Sequence, residues 1–319
     1  MKLVEYLLTL FVLLTLNFVL PRLMPGDPFT NLSAESGQVL IAFSEEQIAR
    51  YEAYYGLDRP LLVQYVSYLR DLSQGYLGYS LYFGEEVLPL ILKRATWTIA
   101  LVVFSLGIAG FGGVLLGSLS AWSRQSLWDR ILYPSFVFIS AIPPFLVGIV
   151  FLLVLGASLG WFPLSGGSEV FASYGSWTEK VVDRVRHGFL PVLTLASVHI
   201  GEYYLLSRNT MITVLSRDFI RTARAKGIGN LGVLVRHGLR NSLIPVVTRM
   251  SIGLGTAAGG ALVVETVFDY PGIGRLLRDA VLVRDYPVIQ GIFLFIAGLV
   301  LTMNIGADRV IRWLDPRIC

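Results

Sequence analysis

The sequence predicts an all-α integral membrane protein of six transmembrane helices, with an extracytoplasmic helical insertion between the first two. Its 319 residues are 54% hydrophobic and only 15% charged, with a mean hydropathy of +0.65, well outside the usual composition of soluble domains. Apolar runs of about 20 residues, the length that a helix needs to cross a bilayer, occur six times. Lysine and arginine collect in alternate loops between these runs, as expected when short basic loops stay cytoplasmic.

The six predicted spans follow directly from the apolar runs. No charged residue interrupts the second, third and sixth, whereas Glu202 and Arg249 fall inside the fourth and fifth. The first run is longer than the roughly 7–15 apolar residues of a secretory signal and no A-x-A cleavage pattern follows it, so we interpret it as an anchor. The predicted spans are Leu3–Met24, Ala95–Ala121, Ile131–Leu159, Gly188–Ser207, Leu243–Val264 and Tyr286–Ala307.

Charge asymmetry predicts the orientation of these spans. Twelve basic and four acidic residues lie in one set of loops, Trp122–Tyr133, Arg208–Ser242 and Asp308–Cys319. Eleven basic and sixteen acidic residues lie in the other set, Pro25–Arg94, Gly160–His187 and Glu265–Asp285. Both termini are therefore expected in the cytoplasm. The predicted division is a first transmembrane helix (1–24), an extracytoplasmic segment (25–94), a five-helix core (95–309) that contains the cytoplasmic loop 208–242, and a cytoplasmic tail (310–319).

The segment after the first span carries helix signals of its own. Ser44-Glu-Glu-Gln47 has the capping-box pattern and predicts a helix over Glu45–Tyr55. Gly56-Leu-Asp-Arg-Pro60 is typical of a helix end, and Leu61–Leu72 is predicted to form a second amphipathic helix. The insertion is therefore expected to be helical rather than an unstructured linker.

The residue inventory argues against several enzyme classes. None of the four lysines follows a glycine, so the chain has no G-x-x-x-x-G-K phosphate loop, and any ATP that drives it must bind to another subunit. None of the three histidines precedes a glutamate, there is no G-x-S-x-G elbow, and Cys319 is the single cysteine. We therefore expect no cofactor or metal in this chain. Basic residues spread through loops rather than along one face also argue against nucleic acid.

Glycine and proline mark places where helices approach closely or bend. Gly113 and Gly117 lie four residues apart in the second span, and Gly255 and Gly259 do so in the fifth. This spacing lets a neighbouring backbone come close, either for helix packing or to line a pathway. Pro143-Pro144 is expected to kink the third span, because proline removes a backbone donor and clashes with the preceding turn.

His199 and Glu202 lie three residues apart on one face of the fourth span. An ionisable group at bilayer depth is expected to face the protein interior or a wet cavity, which makes this pair a candidate for the translocation path. A structural pair with a neighbouring helix, or a position nearer the membrane surface, explains it equally well. Both interpretations stay open at this stage.

The loop Arg208–Ser242, called the basic loop below, carries seven basic residues and one acid. It has the pattern of a helix that ends at Lys226-Gly227 and a second helix over Leu231–Leu239. One interpretation is that the cations only fix topology or bind anionic lipid. The helix–glycine–helix pattern, with three small residues on the first helix, favours docking in a groove of a partner instead. Those small residues are Thr222, Ala223 and Ala225.

Several blocks of the sequence carry a family resemblance over nearly the whole chain. The most specific are Phe219–Gly227, Arg236–Pro245, Glu265–Arg275, Arg284–Val288 and Leu314–Ile318, with weaker agreement at Met24–Pro28, Tyr55–Pro60 and Ile142–Phe145. In these blocks the sequence resembles the inner-membrane permease subunits of ABC importers of the dipeptide/oligopeptide/nickel class, in particular the dipeptide and oligopeptide permease B type. The resemblance implies the type I importer permease fold.

The resemblance also implies a role for the basic loop, as the coupling loop whose short helix inserts into a cleft of an ATPase subunit. Gly227 matches the invariant turn glycine of the general importer motif, and Arg221-Thr222-Ala223 occupy its Glu-Ala-Ala positions. The acid is replaced here by Arg221, so a salt bridge assumed from the general motif is in doubt. The implied coupling residues are Arg221, Thr222, Ala223, Arg224, Ala225, Lys226, Gly227, Ile228 and Gly229.

The implied assembly contains a second, non-identical permease, two ATP-binding subunits and an extracytoplasmic solute-binding protein, in the plasma (inner) membrane of a prokaryote. Peptides are the first expectation for the cargo, with oligosaccharides and nickel chelates behind them. An ion-gradient-driven secondary transporter and an intramembrane hydrolase are the alternatives from other classes. Internal inverted repeats would favour the former, and the sequence has no evident repeat.

Overall fold

The computed structural model describes residues 2–23, 58–80 and 82–314. Helices account for most of them, which confirms the all-α prediction. The helices are α1 (Lys2–Arg22), α2 (Leu61–Ser73), α3 (Val87–Trp122), α4 (Leu127–Ser140), α5 (Pro144–Phe151), α6 (Trp177–Leu215), α7 (Asp218–Ala225), α8 (Asn230–Gly232), α9 (Arg240–Val267), α10 (Ile273–Leu282) and α11 (Tyr286–Leu314). Two π-helical segments, Leu152–Ser158 and Val233–Leu239, follow α5 and α8 directly.

Three helices in the described part of the chain are long and apolar enough to cross a membrane, α3, α6 and residues Tyr286–Ala307 of α11. Two bent pairs raise this number to five if each is one span, and the apolar stretch Leu10–Arg22 of α1 is shorter than a full crossing. The chain is thus a multi-pass membrane protein by length and composition. The count of six spans stays a prediction.

The helices α3 and α6 extend well beyond the predicted spans. The first begins at Val87, eight residues before the predicted boundary at Ala95, and the second runs from Trp177 to Leu215 although Gly188–Ser207 was expected. The hydrophobic run marks only the part of a helix that faces apolar surroundings, so polar turns continue the helix on either side. A cap supports the early start of α6, because the Ser176 hydroxyl accepts a hydrogen bond from the Glu179 N–H.

The predicted third span, Ile131–Leu159, is wrong as a single helix. Two helical pieces, Leu127–Ser140 and Pro144–Ser158, replace it and are bent by 104°. The break falls at Pro143-Pro144, where a kink was predicted, and two consecutive prolines prevent the helix from continuing. The predicted kink is therefore confirmed in a stronger form, as a break.

The described chain divides into two compact units, of which the first comprises the described residues up to 96 together with residues 275–298. The predicted helix Leu61–Leu72 is confirmed in it as α2, whereas the predicted helix Glu45–Tyr55 lies outside the described residues. Hydrogen bonds join α1 to α2, between Thr15 and the Tyr65 hydroxyl at 2.8 Å and between the Asn17 amide and the Tyr68 hydroxyl at 3.0 Å.

A small hairpin in the first unit explains the motif Arg284–Val288. Strands β1 (Tyr79–Ser80) and β2 (Glu85–Glu86) pair antiparallel, a feature that the all-α prediction did not contain. The buried Asp285 carboxylate accepts hydrogen bonds from the Ser80 hydroxyl at 2.5 Å and from the Val288 N–H at 3.2 Å. Burial raises the pKa of Asp285, and these two bonds oppose the shift. The aspartate thus ties the hairpin to the start of α11.

The second unit comprises residues 97–274 and 299–319, and its core lies between α3, α6 and α9. The glycine pair in α3 sets the spacing to α6. A Cβ on Gly113 would lie 2.8 Å from the Tyr204 nitrogen, and one on Gly117 would lie 2.5 Å from the Tyr204 oxygen. These two glycines therefore serve helix packing. In α9, Gly255 packs against Val300, whereas a Cβ on Gly259 would meet open space.

The close approach of α3 and α6 predicts a specific cost for a single methyl group. We expect Gly117→Ala to lower the thermal stability of the purified protein by roughly 1–3 kcal/mol, because the added Cβ forces the helices apart. Gly107→Ala in the same helix is the matched control, since a Cβ there meets nothing within 4 Å and alanine is favoured in helices. Thermal unfolding of both variants in detergent measures the difference, and equal stability of the two would contradict the packing role.

Candidate functional site

The basic loop folds as the predicted helical hairpin. Helix α7 ends at Ala225, Gly227 has φ +77°, and α8 begins at Asn230 after a turn. The Gly227 N–H donates to the Arg224 carbonyl at 2.9 Å and the Ile228 N–H donates to the Ala223 carbonyl at 3.2 Å. These two bonds form a Schellman motif, which needs a left-handed residue where glycine is found. The predicted C-cap glycine is therefore confirmed.

A small apolar cluster, called the apolar seat below, packs the hairpin against the rest of the second unit. It contains the buried residues Ile220, Ala223 and Val233, with Trp122 and Ile228 packed against them. Ala223 and Ile228 make the hydrophobic contact that accompanies a Schellman motif. Trp122 is the last residue of α3, so the hairpin rests on the end of a membrane helix that lies about 100 residues earlier in the sequence.

The opposite face of α7 is exposed and carries two cations, Arg221 and Arg224, and one acid, Asp218. The side chain of Arg221 is 81% exposed, and its nearest acid is Asp218 on the same helix at 3.7 Å. An exposed pair of this kind contributes little stability, so Arg221 is available to a partner. The Arg224 guanidinium lies 5.9 Å from the centre of the Trp122 ring. Thr222, Ala225, Lys226 and Gly229 are exposed as well.

A π-helical segment, Val233–Leu239, joins the hairpin to α9. Its buried Gly238 packs on α6, where an added Cβ would lie 3.0 Å from the Met211 sulfur. Segments of this kind are rare and occur frequently at functional sites. The sequence pattern predicts a helix over Leu231–Leu239 but not its π geometry, because so short a segment has too few residues for its hydrophobic pattern to distinguish the two hydrogen-bond registers.

A polar network that no sequence pattern indicated lies beside the hairpin. The Asp129 carboxylate is buried at the first turn of α4 and accepts two hydrogen bonds from the Arg208 guanidinium, at 2.7 and 2.9 Å. The Gln125 N–H, at 3.0 Å, and the Ser120 hydroxyl also donate to it. The Ser120 hydroxyl lies 2.7 Å from the Tyr204 hydroxyl. Three helices, α3, α4 and α6, therefore meet at one carboxylate.

The two charges that interrupt the predicted fourth and fifth spans pair with each other. The Arg249 Nε lies 2.5 Å from a Glu202 carboxylate oxygen, and the other oxygen lies 3.9 Å from His199 Nδ1. Arg249 is on α9 and Glu202 is on α6, so the pair joins neighbouring helices. Both side chains keep substantial exposure, 45% and 37%. The structure therefore brings together His199 and Glu202 as predicted and adds Arg249 to them.

The motif Glu265–Arg275 forms a tight turn between α9 and α10. The fully buried Glu265 carboxylate accepts a hydrogen bond from the Gly274 N–H at 2.6 Å. A Cβ on Gly272 would overlap this carboxylate, and one on Gly274 would overlap the Leu262 backbone. The carboxylate also lies at the start of α10, where the positive end of the helix dipole stabilises it. This motif therefore encodes a backbone turn.

No group of three or more His, Cys, Asp or Glu side chains that could hold a metal occurs among residues 2–23, 58–80 and 82–314. The features that distinguish this part of the chain are the cationic hairpin, the Asp129 network beside it and the Glu202–Arg249 pair. None of these is a nucleophile–base arrangement. The Asp129 network and the Glu202–Arg249 pair join neighbouring helices, and the hairpin presents exposed cations.

Comparison with known proteins identifies a matching family and similar proteins. Residues 113–318 match the family described as binding-protein-dependent transport system inner membrane component. The di/tripeptide transport system permease protein DppB of Pseudomonas aeruginosa is 35% identical over an alignment of 323 positions, gaps included, which covers 97% of this chain and 95% of that relative. The oligopeptide transport system permease protein AppB of Bacillus subtilis is 36% identical over 305 residues, which cover 95% of this chain and 93% of that protein.

A solved structure shares the fold over part of this chain. A chain of the MetNI methionine ABC transporter in an inward-facing conformation superposes with a TM-score of 0.56. The two sequences are 16% identical, and the match covers 71% of this chain and 97% of that chain. At this level of identity the likeness shows a shared fold and nothing further.

Proposed function

The chain belongs to the family of binding-protein-dependent transport system inner membrane components and has the type I ABC importer permease fold, and we propose that it forms half of the translocation pore of a peptide importer and couples to separate ATPase subunits. The cationic hairpin carries this proposal. An exposed, preformed hairpin that ends in a glycine-dependent turn suits a partner cleft. A surface that only attracts lipid headgroups would need charge but not this shape.

In this proposal residues Arg221 to Gly229 are the coupling element. Arg221 and Lys226 point away from the apolar seat, which supports contact with acidic groups of an ATPase. Arg221 takes the position of the acid in the general importer motif, so the partner charge in this system is expected to be negative. The small residues Thr222 and Ala225 allow close approach of the partner surface.

The rest of the assembly follows from the family. We propose a second, non-identical permease, two ATP-binding subunits that hydrolyse ATP, and an extracytoplasmic binding protein that delivers cargo. The excess of basic residues in loops such as Arg208–Ser242 supports a cytoplasmic location of the hairpin and of both termini. Nucleotide binding then shifts the population between inward-open and outward-open states of the two permeases.

Peptides are the proposed cargo class. The names of two relatives, a di/tripeptide permease and an oligopeptide permease, support it. These relatives align over almost the whole chain, so the likeness is not limited to the coupling region. The binding protein makes the finer selection among peptides, because it is the component that presents the cargo.

We also propose that Glu202 and His199 face the translocation path, together with Arg249. A charge pair with 37% and 45% exposed side chains is costly where it faces lipid tails. The face of α6 and α9 that carries this pair is therefore expected to meet water or the second permease. A pair of opposite charges also suits a cargo that carries both an ammonium and a carboxylate.

Reconstitution tests the main proposal. Liposomes that contain this chain with the proposed second permease and ATPases should take up peptides when the binding protein and ATP are supplied. Liposomes that contain this chain alone should take up none, with or without an ion gradient. Uptake by the chain alone, driven by an ion gradient, would instead establish a secondary transporter.

A pair of glycine variants tests the hairpin. Gly227→Val places a β-branched residue at φ +77°, which costs roughly 1–2 kcal/mol locally, and we expect loss of ATPase co-purification and of uptake. Gly160→Val is the control, because its φ is +64° and a Cβ there also meets open space, so the same local strain falls outside the coupling element. Normal co-purification and uptake in Gly227→Val would reject the assignment of this turn.

A charge cycle tests the path. Glu202→Gln leaves Arg249 without its carboxylate, and we expect uptake to fall about tenfold at normal protein level. If the pair only holds α6 to α9, the double variant Glu202→Gln/Arg249→Gln should recover uptake, because no unpaired charge is left. If these residues contact the cargo, the double variant stays impaired. Wild-type uptake in Glu202→Gln would rule out the path role.

A further inference from the structure

The Asp129 network has a position that the coupling hairpin alone does not explain. Asp129 is 5% exposed and lies at the start of α4, and its partners Ser120 and Arg208 lie near the ends of α3 and α6. The carboxylate accepts four hydrogen bonds, two from the Arg208 guanidinium and one each from the Ser120 hydroxyl and the Gln125 N–H. All of these residues lie within the second unit.

Both connections from this network to the hairpin are short. On α3, Trp122 follows Ser120 by two residues and packs directly against the apolar seat of the hairpin. On α6, Arg208 lies seven residues before the helix end at Leu215, after which α7 begins at Asp218. Between Arg208 and Leu215 on α6, Met211 contacts Gly238 of the π-helical segment. The network therefore lies where both supports of the hairpin leave the helical core.

A buried ion pair is weak evidence for a gain in stability, because two apolar residues of similar volume often stabilise as well or better. What such a pair adds is geometry. The two parallel bonds between the Arg208 guanidinium and the Asp129 carboxylate fix both distance and orientation. The Arg208 guanidinium also lies 4.8 Å from the centre of the Tyr133 ring, which restricts it further.

We propose that Asp129 and Arg208 are positioning residues for coupling, which hold α3, α4 and α6 together so that a displacement of the hairpin moves all three helices as one body. The inference rests on the proposed function, since it takes the hairpin as the contact with the ATPase. Neither residue touches the partner in this scheme. Their role is to transmit movement from the seat at Trp122 and from α7 into the membrane helices.

A carboxylate on α6, the helix that carries Arg208, provides a closely matched control. Asp183 accepts hydrogen bonds from the Tyr174 hydroxyl at 2.7 Å and the Glu169 N–H at 2.9 Å, and lies 3.1 Å from His187. Like Asp129, it thus combines a hydroxyl, a backbone N–H and a basic side chain. It lies on the order of 35 Å from Arg208 along α6. Substitution of either carboxylate by asparagine should lower helix stability. Only the substitution of Asp129 should also lower coupling.

The experiment compares Asp129→Asn and Asp183→Asn in the complete reconstituted importer, with peptide transported per ATP hydrolysed as the readout. We expect Asp129→Asn to retain its ATPases and to lower this ratio about tenfold, the size that changes along a coupling network produce. Asp183→Asn should keep the ratio within about twofold of the wild type, even with a similar loss of thermal stability. Arg208→Lys, which keeps the charge but loses the paired geometry, should give an intermediate ratio.

The outcomes separate this inference from the proposed function. A wild-type complex that does not couple ATP hydrolysis to peptide uptake overturns both. A coupled wild type with an unchanged ratio in Asp129→Asn and Arg208→Lys overturns the positioning role alone, as does an equal fall in Asp183→Asn. Failure of both Asp129→Asn and Arg208→Lys to accumulate would assign the pair to folding and reject the inference as well.

Discussion

Three pairs of acidic and basic side chains lie along helix α6 and limit how it can pack in the second unit. Near one end Asp183 lies beside His187, in the middle Glu202 meets Arg249, and towards the other end Arg208 meets Asp129. Removing one partner of a buried pair such as Arg208–Asp129 costs several kcal/mol, so these pairs restrict which neighbours α6 can have and in what register. Two of the three pairs reach to other helices, α9 and α4. The arrangement of the second unit therefore depends on satisfying the charges of this one helix.

Much of the fold was predictable from the sequence, because hydrophobic runs and cap residues act locally. The helix end at Gly227 and the break at Pro143-Pro144 follow from the conformational limits of single residues. The Asp129–Arg208 pair was not predictable, since the two residues lie 79 positions apart and both fall in loops by hydropathy. Glu202 and Arg249 were each noticed as interruptions of a span. Only the packing of α6 against α9 shows that these two side chains form an ion pair with each other.

Three of the motif blocks that indicated the family encode backbone geometry rather than chemistry. Gly227 supplies a left-handed turn, Glu265 and its glycines close the turn before α10, and Asp285 ties a hairpin to α11. Each combines a residue without a Cβ or a buried acid with a backbone N–H group. This explains how a chain without catalytic motifs can contain such specific sequence blocks. A permease subunit works through the relative positions of its helices, so its most specific residues are those that set helix ends.

The break between α4 and α5 has a consequence for how a helix can start inside an apolar layer. The first four N–H groups of any helix lack carbonyl partners within it, and hydrocarbon offers them no water. At α5 the cap residue Pro143 and the first helical residue Pro144 have no N–H at all. A third donor, on Leu146, bonds to the Pro143 carbonyl at 3.1 Å. The paired prolines thus break the helix and at the same time remove two of the four unpartnered donors of the next one, and the Pro143 carbonyl satisfies a third, which makes a sharp bend compatible with apolar surroundings.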